Sequence, residues 1–172
     1  MADINELATA IRGHVIAELH DATGLLIARS ETANLVTQIG DQFYGERASG
    51  IGSPPAQVTG MKLGTGSTAV AKTGAGAALV TYLTDSHQAI AATYPQSALN
   101  GSSRRITWRA IWAAGKATTA SAVTECVIVN ETLADSTSAA AATIARVLLT
   151  GIGSKGSGDS LTVTWTHDLL GA

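Results

Sequence analysis

The amino-acid sequence predicts a mainly β protein, an antiparallel β-sandwich or jelly-roll-like fold with one short helix near the N-terminus. Two segments, RRITWRAIWAA and SLTVTWTHDLL, alternate along their length, the period of a half-buried strand. Roughly seven to nine short segments of this kind follow one another with Gly, Pro, Asn, Asp and Ser between them. Helical periodicity is clear only once, and a doubly wound parallel sheet would need a helix between successive strands.

In chain order, residues 1–13 read as an N-terminal arm or short helix, with Leu7 and Ile11 at i, i+4 spacing, ahead of a single β domain over 14–172. HVIAELH (14–20) and LLIARS (25–30) flank Asp-Ala-Thr-Gly and predict a hairpin. Over 34–47, Leu35, Ile39 and either Gln42 or Phe43 share one face at helical spacing, with Gly45 and Gly50 as stops. Pro54 and Pro55 fix a loop. VTGMKLG (58–64), Leu79 to Leu83 and HQAIAATY (87–94) read as extended, whereas GTGSTAVAKTGAGAA is too small and flexible for a regular element and PQSALNGSS reads as a turn.

RRITWRAIWAA sets Ile106, Trp108, Ala110 and Trp112 on one face and Thr107, Arg109 and Ile111 on the other. AVTECVIVNE (122–131) is a β-branched strand, followed by a loop over 132–142. TIARVLLTG (143–151), a glycine-rich turn and SLTVTWTHDLL (160–170) predict a closing hairpin. Its last strand opposes Leu161, Val163, Trp165, His167 and Leu169 to Thr162, Thr164, Thr166 and Asp168, so the register is strongly specified. Trp108, Trp112 and Trp165 all fall on core faces and supply much of the burial.

A chain of 172 residues can bury roughly 70% of its unfolded surface, enough for a core without disulfides or metals. Charged residues make up 14% of it and aromatics 4%, with Ala, Gly, Thr and Ser filling the difference. That composition suits a subunit of an assembly better than a freely diffusing enzyme. The net charge of −2 argues against a nucleic-acid partner, and Arg104 and Arg105 are the only adjacent basic pair. Cys126 stands alone and reads as a buried structural thiol. No run of about 18 apolar residues predicts a membrane span.

Gly151, Gly153 and Gly156 spell G-x-G-x-x-G, yet a dinucleotide loop needs a helix after the last glycine, and here a strand follows. LGTGSTA (63–69) has no Gly-Lys-Ser/Thr at phosphate-loop spacing, and Lys62 and Lys72 lie outside such a pattern. His14, His20, His87 and His167 form no metal-ligand pair; His14 and His20 would sit about 20 Å apart along one strand. Asp85, Ser86 and His87 are triad residue types, but neighbours on an extended segment point to opposite faces. Glu125 and Glu131 find no partner that the sequence can place. The expectation is therefore a non-enzymatic protein with no catalytic, cofactor-binding or metal residues.

The order of motifs carries a resemblance. NLVTQIGDQFYG, a Pro-rich turn, MKLGTGSTAVAKTGAGAALV, ITWRAIWAAGKATTASAVTECVIVNET, ARVLL and SLTVTWTHDL follow in sequence, with Asn34, Leu35, Gly64, Thr65, Gly66, Trp108, Asp159 and Trp165 as its marked positions. From about residue 14 onward the chain resembles the small structural proteins of tailed bacteriophage particles. The resemblance implies a virion component made in the bacterial host cytoplasm, either a capsid decoration protein or a tail- or fibre-associated one. Implied partners are copies of itself, with a homotrimer expected by analogy, and the major capsid protein or tail components, without nucleic acid or membrane. The arm and the loops at 65–78 and 132–142, which show no core role in the sequence, are the expected subunit contacts.

Overall fold

The computed structural model describes residues 11–169. Nine antiparallel strands form one curled sheet: β1 (Ile11–His20), β2 (Leu26–Val36), β3 (Gly60–Gly64), β4 (Gln88–Ala89), β5 (Gln96–Asn100), β6 (Ser103–Trp112), β7 (Glu125–Val129), β8 (Thr143–Leu148) and β9 (Ser160–Leu169). Among the described residues there is one α-helix, α1 (Gln38–Ser49), which follows β2. Strand order is β4-β3-β7-β8-β2-β1-β9-β6-β5. The mainly β antiparallel fold with an early helix is thus the one the alternation predicts.

The curl is made at β2. Its Leu26–Asn34 stretch pairs with β1, and then Leu35 and Val36 pair with Arg146 and Ala145 of β8, so one strand serves two layers. The first layer is β5-β6-β9-β1-β2 and the second β2-β8-β7-β3-β4. Val15, Ala17 and Leu19 of β1, Leu161, Val163 and Trp165 of β9, and Trp108, Ala110 and Trp112 of β6 project inward against Met61, Leu63, Cys126, Ile128, Ala145 and Val147. Beyond β3, segment 86–91, which contains β4, covers the open edge of β6. There Ala91 N–H donates to the Arg109 carbonyl (2.7 Å) and Trp112 Nε1 to the Ser86 carbonyl (2.6 Å).

Several boundaries differ from the sequence reading. The helix starts at Gln38, not at residue 34: Asn34–Val36 continue β2, and Thr37 caps the helix by accepting from Gly40 N–H (3.1 Å). Gly50, left-handed at φ 66°, ends it. Gly40 lies so close to β8 that a Cβ there would stand 2.2 Å from the Ile144 carbonyl oxygen. Ile11–Gly13 of the expected arm are strand; the rest of that arm, residues 1–10, lies outside the described residues. QSALN, read as turn, is β5, and it makes a hairpin with β6. β8 and β9 form no hairpin: β8 pairs with β7 and β2, β9 with β1 and β6, and the glycine-rich segment between them crosses from one layer to the other.

The central strands of the second layer, β3, β7 and β8, are buried on both faces, and this explains their charged residues. Lys62, Glu125, Val127 and Arg146 face outward in register, yet all are fully buried beneath the loops at 65–81 and 132–142. Glu125 accepts from Arg146 Nη2 (2.7 Å) and from the backbone N–H of Gly66 (3.0 Å) and Thr81 (2.8 Å). Arg146 Nη1 donates to the carbonyl of Thr68 (2.8 Å), and Lys62 Nζ reaches Glu131 (2.8 Å) and the Ser136 carbonyl (2.9 Å). Both acids therefore have partners, supplied by strands and loops far away in sequence. The two loops also enclose a second apolar cluster of Leu79, Val127 and Val129, so they have a core role that their composition hides.

Candidate functional site

Each sequence motif that imitates a catalytic site resolves into separate contacts. Ser86 is buried, donating to the Leu63 carbonyl (2.9 Å) and accepting from Leu63 N–H (3.1 Å). Asp85 pairs with Lys116 (2.6 Å), and His87 meets the Tyr82 hydroxyl (3.2 Å), so the three side chains serve three different neighbours. In the Gly-Thr-Gly turn, a Cβ at Gly64 or Gly66 would stand 2.6 or 2.4 Å from a Glu125 carboxylate oxygen. These glycines let a carboxylate approach the backbone, in the place where a phosphate loop would hold an anion. Gly151 (φ 76°) and Gly153 (φ 72°) turn the crossing segment with no helix behind them. Lys72 pairs with Asp41 (2.7 Å). His14 faces Glu31 (3.1 Å) on the outer surface, on the same strand as His20. Among the described residues, no three His, Cys, Asp or Glu side chains converge as metal ligands would.

His167 has a defined structural role. It is fully buried, between Trp108 and Tyr44. Trp165 Nε1 can only donate, and it lies 3.0 Å from His167 Nε2, so Nε2 accepts and Nδ1 carries the proton toward the Tyr44 hydroxyl (2.7 Å). Asn34 Nδ2 also points at Nε2 (3.1 Å), crossing over Gly13, where a Cβ would stand 1.6 Å from Asn34 Oδ1. Burial pushes the imidazole down to about 3 and the Tyr44 phenol above its ordinary value. Asn34 Oδ1 is buried without a hydrogen-bond partner among the described residues. Cys126 is likewise buried, and the low dielectric raises its thiol.

Above this polar knot the sandwich formed by the described residues is open at one end. A cleft of about 1470 Å³ runs between α1 and the first layer, lined by Ile11, Tyr44, Val58, Ile106, Trp108 and Leu169, with Arg47 and the Lys72–Asp41 pair at its rim. Arg47 lies over the Phe43 ring and donates to the Pro55 carbonyl (2.7 Å), which ties α1 to the following loop. The cleft is larger than the roughly 300–1,000 Å³ of most small-molecule sites. Sequence reasoning missed it, because its walls come from seven separate stretches of chain; only the resemblance residues Asn34, Leu35 and Trp108 mark it.

At the opposite end, the β1–β2 hairpin exposes three consecutive aliphatic side chains, Leu25 (64%), Leu26 (45%) and Ile27 (50%). Asp21 holds the turn by accepting from Thr23 N–H (2.8 Å) and Leu25 N–H (3.0 Å). The Thr23 hydroxyl, which also donates to the carboxylate (2.7 Å), and then the Leu25 N–H keep its pKa low. Comparison with protein-family models, with curated proteins and with solved structures gives no match for this chain.

Proposed function

We propose that the protein is a non-enzymatic structural component of a tailed bacteriophage particle, acting as a capsid decoration protein that stabilises the shell by bridging subunits. The observation that carries the reading is the hairpin tip: three adjacent aliphatics held in solvent by an ordered turn, on a chain otherwise poor in charge. A contiguous apolar projection of this kind gains by being covered. Full burial of a Leu or Ile side chain is worth roughly 1.5–3 kcal/mol, so these half-exposed ones offer about 1 kcal/mol each. Multiplied over a lattice, such contacts favour the folded, assembled state by linkage. The motif order given above supplies the particle; the hairpin supplies the contact.

The testing measurement is the number of copies of this chain per purified particle, by quantitative mass spectrometry against the major shell subunit. A copy number equal to the shell protein, or a simple fraction of it, supports decoration. A handful of copies would move the protein to the tail or a fibre, and absence from particles would overturn the virion reading. A homotrimer is the proposed oligomer, and a single monomeric mass at micromolar concentration would refute it.

A further inference from the structure

We infer that the aliphatic hairpin tip of one copy seats in the cleft beneath α1 of a second copy, a head-to-tail contact between unlike ends of the same chain. Resting on the tip contact proposed above, it assigns that contact its partner.

The two ends are built as complements. β1 runs ten residues from Ile11 in the cleft wall to His20 at the turn, so tip and cleft stand about 30 Å apart and cannot meet within one molecule. Leu26 and Ile27 are consecutive on β2 and point to opposite faces of the hairpin, Leu26 with Ala28 and Ile27 with Arg29. The tip is thus apolar on both sides, and a flat surface would cover only one of them. The cleft formed by the described residues offers two facing walls: Tyr44 and Ala48 from α1, and Ile106, Trp108 and Leu169 from the first layer. At about 1470 Å³ it exceeds most small-molecule sites, a size suited to a segment of chain.

Charge agrees with this fit. Between residues 21 and 27 the tip carries one ionised side chain, Asp21, on the exposed turn. Arg47 at the cleft rim hydrogen-bonds to the Pro55 carbonyl and to no carboxylate among the described residues. Seating the tip brings the acid of one copy to the base of the next. An apolar projection that fits a pocket elsewhere on the same molecule makes a heterologous contact, which closes into a ring where the rotation between copies allows. Three such contacts complete the proposed homotrimer, each copy giving its tip to one neighbour and its cleft to the other.

The test is sedimentation velocity at micromolar concentration on the parent chain, on Leu26→Asp at the tip and on Ala48→Glu at the cleft. Both positions are exposed, so the near-UV circular dichroism of the buried tryptophans should stay that of the parent. Expected are an assembled parent and two monomeric variants. Mixed in equal amounts at the highest attainable concentration, the variants should form a dimer and nothing larger, because one intact tip then meets one intact cleft and no second contact remains. A monomeric parent would overturn the inference together with the homotrimer. An assembled Leu26→Asp chain, or a mixture that stays monomeric, would overturn the inference alone. If the assembled Leu26→Asp chain also no longer joins particles, the tip belongs to the shell and the particle role stands without this contact.

Discussion

Replacing Glu125 with alanine removes an acceptor that serves five donors: the N–H groups of Gly66, Val80 and Thr81, and Nε and Nη2 of Arg146. Both members of the ion pair are fully buried. Arg146 would be left charged in the interior with only the carbonyls of Thr68 and Gly76 as partners. Breaking a buried pair in this way costs about 3–5 kcal/mol. Val80 and Thr81 are exposed and can turn to water, but Gly66 N–H is buried and adds a penalty of about 1–3 kcal/mol. With each kcal/mol worth about 2–4 °C in a domain of this size, Tm should fall by roughly 10–30 °C in scanning calorimetry. Hydrogen exchange should show the 65–81 loop opening first. The double variant Glu125→Leu/Arg146→Met removes both charges and should recover the ion-pair part of the loss, because an apolar pair of similar volume carries no desolvation cost, while the Gly66 N–H penalty stays. A Glu125→Ala chain melting within about 1 °C of the parent would refute the reasoning, since half a buried pair cannot be lost at that cost.

Two other outcomes follow from the core. His167 has a folded pKa near 3 against 6.5 unfolded, so the unfolded chain binds the extra proton first, and stability falls as pH drops from about 6.5 toward 3. The slope is roughly 1.4 kcal/mol per pH unit from this group, and urea unfolding of His167→Gln between pH 7 and 4 should show a flatter loss than the parent. Identical slopes in the two chains would place the acid sensitivity elsewhere. Trp108→Ala removes a buried ring that packs on His167 and should cost about 3–5 kcal/mol, read as a lowered urea midpoint. An unchanged midpoint would remove Trp108 from the core.

Alternation made the first layer legible. From Ile106 to Trp112 in β6 and from Leu161 to Trp165 in β9 every second side chain is apolar, and each from Trp108 to Trp112 and from Leu161 to Trp165 is buried. The helix was legible in kind but misplaced at its start, because Leu35 fits a helical face and a strand equally well. Pairing with Arg146, at a separation no local pattern reports, decides for the strand. The cleft was not legible at all, since its walls are drawn from distant segments.

By itself, the sequence determined the class of fold, the core tryptophans and the failure of its glycine motifs to form nucleotide loops, because side-chain period and the residues flanking a turn are local properties. The tertiary structure decided what surrounds the charges. Lys62, Glu125 and Arg146 lie on strands whose outer face would meet water if two loops did not fold over it, and only folding brings Glu131, Ser136 and the Thr68 carbonyl within reach. An ionised group can be buried only where partners from elsewhere in the chain replace its water. Which partners arrive is a matter of three-dimensional closure, and no stretch of one-dimensional pattern contains it.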